Sequence, residues 1–330
     1  MKHMPMINKN LLRWAFLGLI LAGTGVYFWD RKDLLAEASK ISLLYIVLIV
    51  LSKYVVALLN GLKLRQSMRL IGRRLGYSEW FGLSASTTLF AYTLPFRTSV
   101  APRMVYLKKH HKLGYSENAA ITVGVNLLDT AFTALSGLFV VTFLLDLSQH
   151  NTRTIALGFA AASILALIAI TGLSFASNHR FHFIPERLKP VLDRVSDALR
   201  AIGHFTTDHI ALLFLMGLSL LARSVALYIC FAAVGATVEL SYLYVAICLV
   251  SITIVVSLTP GNIGITEGIL VVVAVTVGVP IEYALPAVLL SRAGSLAVQI
   301  PLGIYYSVKL YGNWRPDTAG TSTTSTGDPT

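Results

Sequence analysis

Ser257-Leu258-Thr259-Pro260-Gly261-Asn262-Ile263-Gly264-Ile265-Thr266-Glu267-Gly268 is a helix-breaking stretch set between two apolar runs, Leu240–Leu258 and Ile263–Val279. Pro260 removes a backbone donor, and Gly261, Gly264 and Gly268 favour an unwound chain. A break of this kind inside a bilayer is tolerated only where it is buried in protein or lines a cavity. A helix starting after it would aim free N–H groups and a positive dipole end at an anion. In transporters, broken helices mark substrate sites. Two readings stand: an ordinary loop between two full spans, or a helical hairpin that meets its partner inside the membrane. Both return the chain to the same side.

The rest of the chain puts this break in a bilayer. Of 330 residues, 55% are hydrophobic and 13% charged, against about 25% charged in soluble domains. The mean hydropathy is +0.70. So few charges cannot cover so much apolar surface, which excludes a soluble enzyme and a disordered chain. Apolar runs recur at Leu11–Trp29, Ile41–Leu62, Ala119–Leu145, Thr154–Ala176, Ile210–Gly235 and Ala284–Leu310. The expected fold is all-α: a polytopic integral membrane helical bundle of about six full spans plus re-entrant or broken helices, about eight or nine apolar segments in all. Residues 1–315 form one domain, and the Ser/Thr/Gly/Pro-rich stretch 316–330 is expected to be a disordered tail. Pro190–Phe205 places Val191, Leu192, Val195, Leu199 and Ile202 at helical spacing, an amphipathic interfacial helix.

The net charge is +11, and its placement orients the bundle. Lys63, Arg65, Arg69, Arg73 and Arg74 precede the segment 80–95; Arg97, Arg103, Lys108, Lys109 and Lys112 follow it. If 80–95 crossed the membrane, these basic groups would lie on opposite sides, against the positive-inside rule. The segment is also short, and it carries Ser84, Ser86, Thr87, Thr88 and Thr93. A re-entrant helix whose polar side chains face protein or water resolves both problems. Most basic residues then share one face. Both termini are cytoplasmic, and the expected location is a bacterial-type cytoplasmic (inner) membrane. Positive-inside topology accounts for the basic loops, so nucleic acid is not an expected partner.

Five ionisable residues lie within apolar runs: Lys53, Asp129, Arg223, Glu267 and Arg292. A charge at a helix centre costs at least about 2.5–3.5 kcal/mol, so such groups face a polar interior and find partners. Lys53 is close enough to its helix end to snorkel. Arg223 and Arg292 are expected partners for Asp129 and Glu267, with Arg292 assigned to Glu267. The alternatives are buried ion pairs that fix helix register and a head-group site or proton relay. Cys230 and Cys248 read as small apolar packing residues. His110 and His111 read as part of a surface facing anionic lipid. No metal-ligand spacing or phosphate-binding Gly-rich loop appears, so neither metal nor cofactor is expected.

Pro260-Gly261-Asn262-Ile263-Gly264-Ile265-Thr266-Glu267 resembles the P-G-x-(I/L)-G-x-x-E signature of the lysylphosphatidylglycerol synthase transmembrane region, the flippase-like domain family. Gly278-Val279, Ala284, Ala287, Ser291-Arg292 and Ile300-Pro301-Leu302-Gly303 continue the likeness. Leu94-Pro95-Phe96-Arg97-Thr98-Ser99-Val100-Ala101-Pro102-Arg103 resembles the family's L-P-G-R-x-G-E-x-x-R pattern, followed by Asn126 and Asp129. Phe96, Ser99 and Val100 depart from it, so the glutamate's role does not carry over. The likeness runs from about Leu11 to Tyr311. In bifunctional members this region is fused to a soluble aminoacyl-transferase domain; the resemblance here implies the lipid-translocating half without it. The expected function is a lipid flippase or translocator of an anionic phospholipid or lipid-linked precursor, and not an enzyme. The alternative is a non-transporting membrane subunit that partners a lipid-modifying or glycosyl-transferring enzyme. A homo-oligomer is compatible with either. The expected substrate-binding residues are Arg97, Arg103, Asp129, Pro260, Gly261, Gly264, Glu267 and Arg292, with Arg97 and Arg103 taking a lipid phosphate.

Overall fold

The computed structural model describes residues 41–93, 98–145, 157–165, 168, 207–253 and 260–312. The expected first span Leu11–Trp29, the interfacial helix Pro190–Phe205, Arg97 and the tail 316–330 lie outside the described residues, as does most of the run Thr154–Ala176.

Within these residues the protein is helical, with no strand. In chain order the helices are α1 (Leu43–Arg69), α2 (Tyr77–Thr93), α3 (Ala101–His111), α4 (Tyr115–Phe143), α5 (Thr207–Ala233), α6 (Leu240–Thr253), α7 (Ile265–Thr276) and α8 (Ile281–Tyr311). Residues 157–165 are also helical. Short 3₁₀ turns at Thr98–Val100 and Pro260–Asn262 lead into α3 and towards α7. Helices α1, α4, α5 and α8 are long and apolar enough to cross a membrane. Their outward faces carry uncovered apolar side chains: Leu43, Phe143 and Val308 are each more than two-thirds exposed. Apolar exposure on that scale suits lipid, not water.

Helix α1 corrects one expectation. The sequence places a basic loop from Lys63, yet α1 runs on to Arg69, so Lys63, Arg65 and Arg69 are helical. Lys and Arg are good helix formers, and their stems lie readily along apolar neighbours. The helix stops at the Leu70 cap, and Gly72 then turns the chain with φ of 70°. Helix α7 has 12 residues, which gives a length of about 18 Å. That is well short of the ~30 Å hydrocarbon core.

Two hydrophobic clusters organise the bundle. One joins α4, α5, α6, α7 and the start of α8 around Phe231, Leu243 and Ala284. The other joins α1, α2, α3 and the end of α8 around Trp80, Phe81 and Leu107. Helices α2 and α8 pack tightly: a Cβ on Gly82 would sit 2.5 Å from the Tyr306 ring, and one on Gly303 would sit 2.5 Å from Leu89. Helix α2 therefore sits inside protein, where its hydroxyl groups are shielded from lipid.

Candidate functional site

Two polar clusters flank α2. The first is a cavity of about 190 Å³ between α1, α2, α3 and α4. Each helix offers one stripe at helical spacing. Helix α1 supplies Asn60, Lys63 and Ser67, α2 supplies Ser84, Thr87 and Thr88, and α4 supplies Thr122, Asn126 and Asp129. Arg103 enters from the first turn of α3. The hydroxyl protons are largely spent on local backbone: Ser67 donates to the Lys63 carbonyl at 2.7 Å, Thr87 to Leu83 at 2.6 Å, Thr88 to Ser84 at 3.0 Å and Thr122 to Asn118 at 2.8 Å. Bonding of this kind is the low-cost way to carry a hydroxyl on a membrane helix. It leaves oxygen lone pairs towards the cavity.

The charges here are incompletely matched. Lys63 Nζ lies 3.8 Å from Asp129 Oδ2, longer than the ~2.7–2.9 Å of a good charge-assisted hydrogen bond. Arg223, an expected partner of Asp129, is not paired with it. Arg223 donates to Asn60 Oδ1 at 3.2 Å and to Ser251 Oγ at 3.4 Å. Arg103 Nη2 donates to Thr122 Oγ1 at 3.0 Å, while its Nε is buried and unpartnered. No carboxylate among the described residues pairs with it. Burial pushes the Arg103 guanidinium down to about 10, still charged at neutral pH.

The second cluster is the break. Gly261 and Gly264 have φ of 61° and 87°, which only glycine adopts without strain. A Cβ on Gly261 would meet the Tyr92 ring at 2.5 Å. The Gly264 N–H donates to Glu267 Oε2 at 2.7 Å. The N-terminus of α7 thus receives a carboxylate from its own first turn rather than an outside anion. Arg292 Nε lies 3.3 Å from Glu267 Oε1, the pairing expected from sequence. Arg292 Nη2 also donates to the Gly261 carbonyl at 2.7 Å, and the guanidinium lies 5.0 Å from the Tyr92 ring centre. Pro260 opens the 3₁₀ turn before these residues. Asn262 differs: it is buried, with φ of 53°, and neither amide atom has a partner among the described residues.

Two further contacts frame the clusters. Lys53 Nζ bonds Ser291 Oγ at 2.6 Å, so this lysine reaches across to α8. At the start of α2, Glu79 accepts from the Gly76 N–H at 2.8 Å and from Tyr106 Oη at 3.1 Å; its Oε1 lies 3.0 Å from His111 Nε2. Burial alone would raise the Glu79 carboxyl, but the Gly76 N–H, His111 and Tyr106 outweigh it and hold it below its usual value. His110 stacks on Tyr106 at 4.3 Å.

Of the residues expected to bind substrate, Arg103 and Asp129 share the cavity, while Gly261, Gly264, Glu267 and Arg292 gather at the break. Asn60, Lys63, Ser67 and Thr122 were missing from that set. The signal for them was the helical spacing of 60, 63 and 67 on α1 and of 122, 126 and 129 on α4.

Among known protein families, the lysylphosphatidylglycerol synthase TM region matches residues 11–303. No curated protein and no solved structure matches the chain.

Proposed function

The chain belongs to the lysylphosphatidylglycerol synthase transmembrane-region family, and from that we propose that it moves an anionic lipid between the leaflets of a bacterial-type inner membrane. The observation that carries this reading is Arg103. It is a guanidinium in a polar cavity, with a buried unpartnered Nε and, among the described residues, no carboxylate beside it. A buried cation without a counter-ion is costly, and a lipid phosphate supplies that counter-ion. Asp129 and Lys63 face the same head group. Helices α2 and α7 are the re-entrant pair, and Pro260, Gly261, Gly264, Glu267 and Arg292 hold their contact together. Both termini lie in the cytoplasm, where the basic loops meet anionic head groups. The work is transport and not catalysis.

The test is translocation of a fluorescent phosphatidylglycerol by the purified protein in proteoliposomes. Arg103→Ala is expected to abolish it without preventing membrane insertion. Wild-type transport in that variant overturns the assignment. A wild-type protein that moves no lipid but co-purifies with a lipid-modifying or glycosyl-transferring enzyme supports the subunit reading instead.

A further inference from the structure

We infer that Asp129 sets the charge selectivity of the cavity, so that it accepts a hydroxyl-bearing phosphodiester with one negative charge and rejects a doubly charged phosphomonoester or diphosphate. This rests on the cavity being the lipid site, and it separates two substrate classes that the family leaves together.

Among the described residues, the charged side chains lining the cavity are Lys63, Arg103 and Asp129, a formal excess of one positive charge. Asp129 only partly neutralises Lys63 across 3.8 Å, and no carboxylate among the described residues neutralises Arg103. One monoanion brings the enclosed charge to zero. A dianion overshoots, and its second charge faces the like charge of Asp129, which repels it. The Asp129 side chain is 36% exposed against 15% for Lys63, so the carboxylate is the more open partner and meets the incoming group. The neutral lining points the same way. Ser67, Thr87, Thr88 and Thr122 have given their protons to backbone carbonyls, and present acceptors. Acceptors suit head-group hydroxyls and disfavour further anionic oxygens.

The test compares retention of phosphatidylglycerol and phosphatidic acid by the purified protein in phosphatidylcholine nanodiscs, read by mass spectrometry. It is run at about pH 7, where a phosphomonoester already carries most of its second charge. Wild type is expected to favour phosphatidylglycerol. Asp129→Asn is expected to shift the ratio about tenfold towards phosphatidic acid. Asn126→Asp, which adds a carboxylate one turn away, weakens retention of both lipids and of phosphatidic acid more. An unchanged ratio in Asp129→Asn overturns the inference. If that variant does not fold, unchanged retention in Asn126→Asp overturns it equally. Glycerol 3-phosphate is the soluble arm: retained while neither lipid is, it shows a free-phosphate site and overturns the lipid assignment. No transport step enters the readout. Charge-selective retention by a protein that moves no lipid therefore upholds this inference while removing the translocation reading.

Discussion

The break at 261–267 and the cavity at Arg103 are both polar, both inside the bundle and both walled by α2, yet their charges are satisfied differently. At the break, Glu267 is taken by Arg292 and the Gly264 N–H, and Arg292 by Glu267, the Gly261 carbonyl and the Tyr92 ring. In the cavity, Lys63 and Asp129 stand 3.8 Å apart and Arg103 faces no carboxylate among the described residues. Paired charges hold helices in place, and breaking such a pair is costly; in the function proposed above, the uncompensated one takes its partner from the lipid. On that proposal the more distinctive sequence motif builds the scaffold, and the less distinctive one builds the opening.

The comparison breaks most visibly at the first cluster. Glu267→Ala strands Arg292 within the membrane and is expected to cost about 3–5 kcal/mol, read as a fall in unfolding temperature in detergent. The double variant Glu267→Leu with Arg292→Met removes both charges and is expected to recover most of that loss. Equal damage in the double variant would mean that the pair is not what holds the break. Gly261→Ala comes next, at about 1–3 kcal/mol, because alanine at φ of 61° is strained and its Cβ strikes Tyr92. Adding Tyr92→Leu relieves the collision and leaves the backbone strain, so partial recovery of the unfolding temperature is expected.

The cavity is expected to behave in the opposite way. Arg103→Ala removes an uncompensated charge, so stability stays within about 1 kcal/mol of wild type while anionic lipid is lost. The smallest effect lies at the start of α2. The Glu79 carboxyl is held below its usual value in the folded protein. Its contribution is therefore present above the unfolded value and is lost as pH falls through the folded one. Hydrogen exchange in α3 should quicken on acidification into that range. Glu79→Gln should remove this acid dependence.

Much of this was legible in the sequence. The spans over α4, α5 and α8 follow from apolar length, and the break from one proline and three glycines. Glu267 and Arg292 could be matched because few intramembrane charges exist and each needs a partner. The cavity was only half legible. Ser84, Thr87 and Thr88 marked α2 as facing protein or water, and Arg103 stood out, but Lys63 was read as a loop residue. Its helical state depends on how far α1 continues, which propensity decides poorly at a helix end. The partner of Asp129 depends on which stripes face one another. Periodicity gives each helix a face and says nothing of the helix across from it. The rotation of α1 against α4 brings Lys63 to Asp129, and that is a property of packing.

The central claim, that the open cavity and not the closed break takes the anionic lipid, is tested most directly by weighing co-purified lipid. Wild type, Arg103→Ala, and the Glu267→Leu, Arg292→Met double variant would be purified identically and their retained anionic lipid quantified by mass spectrometry. The account predicts that Arg103→Ala loses the lipid and the double variant keeps it. Lipid kept by Arg103→Ala and lost from a folded double variant would contradict the account and move the binding site to the break.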